Sequence, residues 1–222
     1  MSDDLRFILS LNIIFAVIIG IVRYKKIDRS YYPFIYYICL TLVLEIIAYL
    51  LLQDGNIYAL RITFNGYTLV EFGLLTWLFH AWGLFNRNRI FFISLMIAYF
   101  IAWFIITFII FTINKDSNYY FRVLYSFTLV LFAVSTFNKM VVNHRGRIWQ
   151  NAQFWICLGI IIFFTFFLMD NATKLSLFRH KISHDFRINL QKIIVVSNLL
   201  VNILYAVAVL WIPRKKNFMT SF

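Results

Sequence analysis

Cysteine occurs twice, proline twice and glycine seven times among 222 residues. Two cysteines cannot frame a disulfide scaffold, and so little proline and glycine excludes a collagen-like repeat or a disordered tail. Charge is scarce too, at 14% of residues, with nine acidic side chains against 21 Lys and Arg. A water-soluble enzyme needs a more polar surface than this chain can supply. What is abundant is apolar: 62% of the residues are hydrophobic, with 26 Phe, 13 Tyr and 6 Trp, and the mean hydropathy is +0.79. This is the composition of an integral membrane protein.

A helix crossing the hydrocarbon core, about 30 Å thick, needs roughly 20 mostly apolar residues at about 1.5 Å each. Seven stretches meet that requirement, at 5–22, 34–52, 62–85, 90–113, 119–137, 153–170 and 190–211. Their long continuous runs lack the alternation of a barrel strand. The expected fold is therefore all-α, a polytopic bundle of seven spanning helices forming one domain over residues 1–222. The third and fifth stretches carry more polar residues, yet irregular backbone has no partner in lipid, so both read as spanning. Asp3 and Asp4 precede the first run and no small-residue cleavage site follows, so that run reads as an anchor.

Orientation follows from the distribution of Lys and Arg. With the amino terminus outside and the carboxyl terminus inside, the inner loops carry Arg23, Lys25, Lys26, Arg29, Arg87, Arg89, Lys139, Arg145, Arg147, Arg214, Lys215 and Lys216. Five of the remaining cations (Lys174, Arg179, Lys181, Arg187 and Lys192) crowd one outer loop. The formal charge of +12 is then a topology signal with anionic lipid as its partner, and no nucleic acid is required. The expected location is a bacterial inner (plasma) membrane. Cys39 and Cys157 fall toward the inner ends of their helices without metal or redox spacing, and no cofactor is implied.

Glu45 and Glu71 are the only glutamates, and both lie inside predicted spans. A carboxylate at that depth is costly and by default marks a functional interior. Counted from the outer ends of their helices, the two sit roughly 11 and 14 Å deep. Asn12, Ser126 and Asn198 fall at about the same level, roughly 12 Å. Thr41, Glu45 and Tyr49 repeat at four residues, as do Tyr67 and Glu71, while Asn198, Asn202 and Tyr205 repeat at four and three. Such spacing puts each set on one helix face. The expected site is thus a polar cavity in the outer half of the bundle, lined by Glu45, Glu71, Asn198, Asn202, Tyr67, Asn12, Ser126 and Tyr49, against the plainer reading of interhelical hydrogen-bond glue. Trp103 lies at the same depth and reads as packing. Residues 171–189, with Phe178, Ile182 and Phe186 every four, read as an interfacial amphipathic helix or a basic lid.

His180 and His184 resemble the zinc pair of seven-helix membrane hydrolases such as the alkaline ceramidases and adiponectin receptors. The third ligand such a site needs is missing, because His80 lies roughly 27 Å down its helix and His144 is on the inner side. A retinal-type Schiff base would want a lysine mid-span, whereas Lys192 is at the edge of the last run. Asn65-Gly66-Tyr67 with Glu71-Phe72, and Asn198, Asn202 and Tyr205, resemble motifs of small uncharacterised seven-helix bacterial membrane proteins; that resemblance implies the topology and no mechanism. The function expected is a sensor or receptor-like binder of a small molecule, with an inner-side protein partner. The alternative is a proton- or cation-coupled transporter, and scaffold or hydrolase roles rank lower.

Overall fold

The computed structural model describes residues 3–85, 88–110, 118–143, 147–179 and 181–215, which are helical with no strand among them. In chain order the helices are α1 (Asp3–Ser10), α2 (Ile13–Arg23), α3 (Tyr32–Gln53), α4 (Ile57–Ala81), α5 (Arg89–Phe104), α6 (Tyr119–Asn143), α7 (Ala152–Thr173), the single turn α8 (Ser176–Arg179) and α9 (His184–Trp211). A π-helical turn, Ile105–Ile110, continues α5.

Local chemistry sets many of the boundaries. The side chains of Asn56, Asn151 and Ser183 accept hydrogen bonds from the backbone N–H groups of Ala59, Gln153 and Phe186 at 3.0, 2.9 and 3.2 Å, opening α4, α7 and α9. Pro33 sits in the first turn of α3, where its missing N–H has no cost. After α3 and α4 the chain reverses through Gly55 (φ 68°) and Gly83 (φ 81°), a backbone region that favours glycine.

Six segments among the described residues are long and apolar enough to cross a membrane: Phe7–Lys26, Arg29–Gln53, Arg89–Ile110, Tyr119–Val142, Ala152–Thr173 and His184–Trp211. The chain is a multi-pass membrane protein. Its perimeter supports this, since Val22, Ile90, Ile109 and Val142 are 75, 78, 69 and 83% exposed. So broad an apolar surface suits contact with lipid tails. Helix α4, the predicted third span, is not among the six, because its length is interrupted by Asn65, Thr68, Glu71 and Thr76. All four are buried inside the bundle.

The helices form a ring. Helix α9 packs on α7 and α2, α2 on α3, α3 on α4, and α4 on α6, which returns to α7. Helix α5 lies outside the ring against α4 and α6, and none of its residues is buried. Toward the end of the bundle where α3 begins, the interior is filled by Phe34, Leu75 and Phe79, each fully buried. Phe79 and Phe85 meet Phe132 edge-on with ring centroids 5.9 and 5.2 Å apart. The opposite end, where α3 finishes, is not filled in this way.

Two expectations need correcting. The first predicted span is not one helix: it breaks at Leu11–Asn12, where Ile14 N–H bonds to Leu11 O at 2.9 Å. That three-residue bond replaces the ordinary four-residue one and frees the Ser10 carbonyl, which accepts instead from Asn202 Nδ2 at 3.2 Å. Residues 171–189 form no single amphipathic helix either. Helix α7 runs to Thr173, α8 is one turn, and α9 starts at His184, so the Ser183 cap draws the end of the predicted loop into the last helix. Residues 111–113 of the fourth predicted span lie outside the described residues, as do Arg87, His144, Arg145, His180 and Lys216.

Candidate functional site

Two helices meet at Glu71, and a third joins them through Tyr67. The side chain is 4% exposed, and both carboxyl oxygens accept hydrogen bonds: Oε1 from the Tyr67 hydroxyl at 3.1 Å and Oε2 from the Tyr125 hydroxyl at 2.8 Å. Tyr67 lies one turn before Glu71 on α4, the spacing at which helix side chains meet. Tyr125 comes across from α6. The Tyr67 hydroxyl also lies 2.8 Å from Thr41 Oγ1 of α3, and that oxygen is 2.9 Å from the Tyr37 carbonyl.

Proton counting gives this chain two states. Each hydroxyl has one proton to donate. In one arrangement Thr41 donates to Tyr67, and Tyr67 donates to Glu71. In the other Tyr67 donates to Thr41, Thr41 donates to the Tyr37 carbonyl, and Glu71 Oε1 loses its donor. The first suits an ionised carboxylate. The second suits a Glu71 that is protonated or engaged elsewhere, and the two differ only in the rotation of the Tyr67 and Thr41 hydroxyls.

The network floors a cavity of about 340 Å³. It extends from Leu52 and Phe64, toward the end of the bundle where α3 finishes and α4 begins, down to Tyr37, Glu71 and Tyr205. Near the mouth, Phe7 of α1 and Tyr49 of α3 stack with ring centroids 4.0 Å apart. Glu45 and Ser10 face each other on one wall. The Arg122 guanidinium, 5.9 Å above the Phe64 ring, stands on another. Among the described residues its Nε has no hydrogen-bond partner, and it closes no ion pair with Glu71. The Tyr205 hydroxyl lies beside that of Tyr37 and is otherwise without a hydrogen-bond partner among the described residues. Most of the remaining wall is apolar or aromatic, which is the usual make-up of a small-molecule site.

Of the residues singled out in the sequence, Glu45, Glu71, Asn198, Asn202, Tyr67 and Tyr49 all line this cavity. Asn12 and Ser126 do not. Asn12 sits at the helix break and donates to Leu9 O at 3.0 Å. Ser126 is fully buried one position away from Tyr125, and one residue is about 100° of helix rotation. Asn65 parts from Tyr67 in the same manner: its carbonyl accepts from Trp103 Nε1 at 2.8 Å and its side chain from Asn118 N–H at 3.3 Å, away from the cavity.

Arg122, Tyr125 and Tyr37 line the cavity without having been expected there. Arg122 counts in the sequence as one more outer-side cation. The signal for it was positional, since Arg122 and Tyr125 stand three residues apart at the start of an otherwise apolar run and so share a face. Among the described residues no three His, Cys, Asp or Glu side chains converge as metal ligands. No protein-family model, curated protein or solved structure matches the chain.

Proposed function

We propose that the cavity binds a small, partly apolar organic molecule and that the protein is a sensor or receptor-like membrane protein of the small seven-helix bacterial type, seated in the inner membrane with its amino terminus outside. In this reading α4 is the seventh span and the cavity opens to the outside. The observation that carries it is Glu71. A buried carboxylate held by hydroxyls from two helices, at the floor of an accessible cavity, is more than stability requires, because a packed apolar group there would be at least as stabilising. Glu45, Arg122 and the Tyr205 hydroxyl supply further polar contacts, and the aromatic mouth supplies apolar area. Occupancy that engages Glu71 would switch the Tyr67–Thr41 hydroxyls and bias the packing of α3, which a partner protein on the inner side would read.

The test is thermal unfolding of the purified protein in detergent against panels of small organic cations, carboxylates and zwitterions. A binder is expected to raise the melting temperature of the wild type and to lose that effect in Glu71→Gln or Glu45→Gln. A rise that survives in both variants, or no rise with any panel, overturns the reading.

One observation favours a second reading, a proton- or cation-coupled transporter. The first span is interrupted beside Glu45, and the Ser10 carbonyl, outside the helical ladder, accepts from Asn202 at the cavity wall; broken-helix transporters use carbonyls of interrupted helices for ions. Uptake of a binder into proteoliposomes that depends on an imposed proton gradient, and fails in Glu71→Gln, would select this reading over the sensor.

A further inference from the structure

A second depression lies at the other end of the bundle, on the lipid-facing side between α2 and α3. Helices α2 and α3 approach closely at Gly20, where an added methyl would stand 3.1 Å from Ile35 Cδ1. Beyond that contact they leave a groove of about 510 Å³. Its walls grade in polarity along the helices that line it. Ile21 and Ile35 face it from the apolar region, and Lys25 and Lys26, both exposed, stand at its end. Between the two levels the Tyr24 and Tyr36 hydroxyls meet at 2.6 Å. The ring of Tyr24 is stacked on Tyr32, with centroids 4.7 Å apart, which fixes the pair in place.

Among the described residues the charge at the groove's end has no internal counterion. The nearest acidic residue in the chain, Asp28, is committed to Ser30, accepting from its N–H at 2.8 Å and its hydroxyl at 2.6 Å. The third cation of this segment, Arg23, is committed as well, donating to the carbonyls of Val209 and Leu210 at 2.5 and 2.6 Å. Among the described residues neither Lys25 nor Lys26 has a carboxylate within 4.0 Å. An open apolar channel that ends in two uncompensated ammonium groups and a tyrosine hydroxyl pair is complementary to one kind of molecule in a bilayer.

We infer that this groove binds an anionic phospholipid, with an acyl chain along Ile21 and Ile35 and its phosphate held by Lys25, Lys26 and the Tyr24–Tyr36 hydroxyls. Zwitterionic lipid fits the channel equally well but brings its own cation to the lysines, so the selectivity resides in the headgroup. The site lies on the side of α3 away from the cavity's mouth, shares no lining residue with the cavity, and stands whether or not the cavity binds a ligand.

The experiment is native mass spectrometry and thermal unfolding of the purified full chain in detergent supplemented with phosphatidylglycerol or phosphatidylcholine. The wild type is expected to retain phosphatidylglycerol preferentially and to melt higher with it. In Lys25→Gln and Lys26→Gln that retention falls about five-fold for each charge removed, the effect of roughly one surface cation on anionic lipid. Lys139→Gln, an exposed cation outside the groove, leaves it unchanged. Ile21→Trp, which fills the channel and alters no charge, also lowers retention. Equal retention of the two lipids by the wild type, or phosphatidylglycerol retention that persists in the Lys25→Gln/Lys26→Gln double variant, overturns the site. If glycerol 3-phosphate alone reproduces the thermal shift, the groove takes phosphate rather than lipid, and the inference fails in that form.

Discussion

Glu71 differs from the other polar residues of the interior in the kind of hydrogen bond it makes. Ordinary interhelical hydrogen bonds in membranes contribute around 0.6 kcal/mol, while bonds to a charged group contribute about 1.5–3 kcal/mol. With Glu71 ionised, Tyr125→Phe, which strips the 2.8 Å bond from Glu71 Oε2, should therefore destabilise by about 1.5–3 kcal/mol. Thr41→Val, which removes a neutral link, should cost nearer 0.6 kcal/mol. Unfolding in a mixed-micelle denaturant series measures both, and the reverse order would show that Glu71 is not the centre of the network. A second residue under close constraint is Gly159, where an added methyl would lie 2.6 Å from Tyr205 Cε1. The Tyr205 ring is fully buried, with Phe34 edge-on at 5.1 Å, so it has nowhere to move except toward the cavity. Gly159→Ala is expected to destabilise by about 1–3 kcal/mol through overpacking. The loss should shrink in the Gly159→Ala/Tyr205→Leu pair, since residues in contact are not additive.

At the scale of elements, the last helix is tied down at its far end. Arg23 holds the carbonyls of Val209 and Leu210, and Lys215 N–H bonds to Lys26 O at 2.8 Å, so the segment after α9 is pinned to the turn between α2 and α3. Cations at a helix C-terminus also complement its dipole. Arg23→Ala should cost about 1.5–3 kcal/mol and raise amide exchange from residue 209 onward, with α7 unchanged; uniform loss of protection would instead mean global loosening. The same turn has a pH signature. Hydrogen bonds from Ser30 hold the Asp28 carboxyl below its ordinary value of 3.8. A lowered folded value gives stability that is full above about 3.8 and is lost as pH falls below it. The melting temperature of Asp28→Ala should accordingly lie below that of the wild type at neutral pH and converge with it in acid. The segments themselves were legible in the sequence because a spanning helix needs only length and apolarity, and the pairing of Tyr67 with Glu71 was legible because it lies within one helix. The break at Leu11–Asn12 was not, since it contains neither glycine nor proline and depends on Asn202, 192 residues from Ser10. Arg122 was hidden by its place near a helix start, where charge is ordinarily solvated, and Tyr125 by the Ser126 beside it, because depth alone does not set rotational phase.

For the whole molecule, the number of crossings decides whether the two termini share a side, and α4 decides the number. An odd count puts the termini on opposite sides of the membrane, and six crossings put them on the same side. Helix α4 has 25 residues, about 38 Å at 1.5 Å each, which is ample for the hydrocarbon core. Its polar side chains turn inward: Asn65, Thr68, Glu71 and Thr76 are buried, whereas Val70 and Trp77 are 49 and 45% exposed. A helix that faces lipid with Val70 and Trp77 and its neighbours with the rest can span despite a low average hydropathy, because the bilayer senses only its outer face. Its packing is compatible with crossing, since α3 and α6 flank it and both are long and apolar enough to cross. Seven crossings are therefore expected. A reporter active only outside the inner membrane should work at the amino terminus and fail at the carboxyl terminus, with an inside-active reporter giving the inverse. Single cysteines at Tyr58 and Trp149, both exposed at opposite ends of the bundle, should react with a membrane-impermeant thiol reagent only at Tyr58 in intact cells. The Cys39→Ser/Cys157→Ser background used for this removes the only native thiols. An amino terminus found inside would turn the cavity mouth, which lies beside Phe7 near that terminus, away from the outside, and the sensor reading would fail with it.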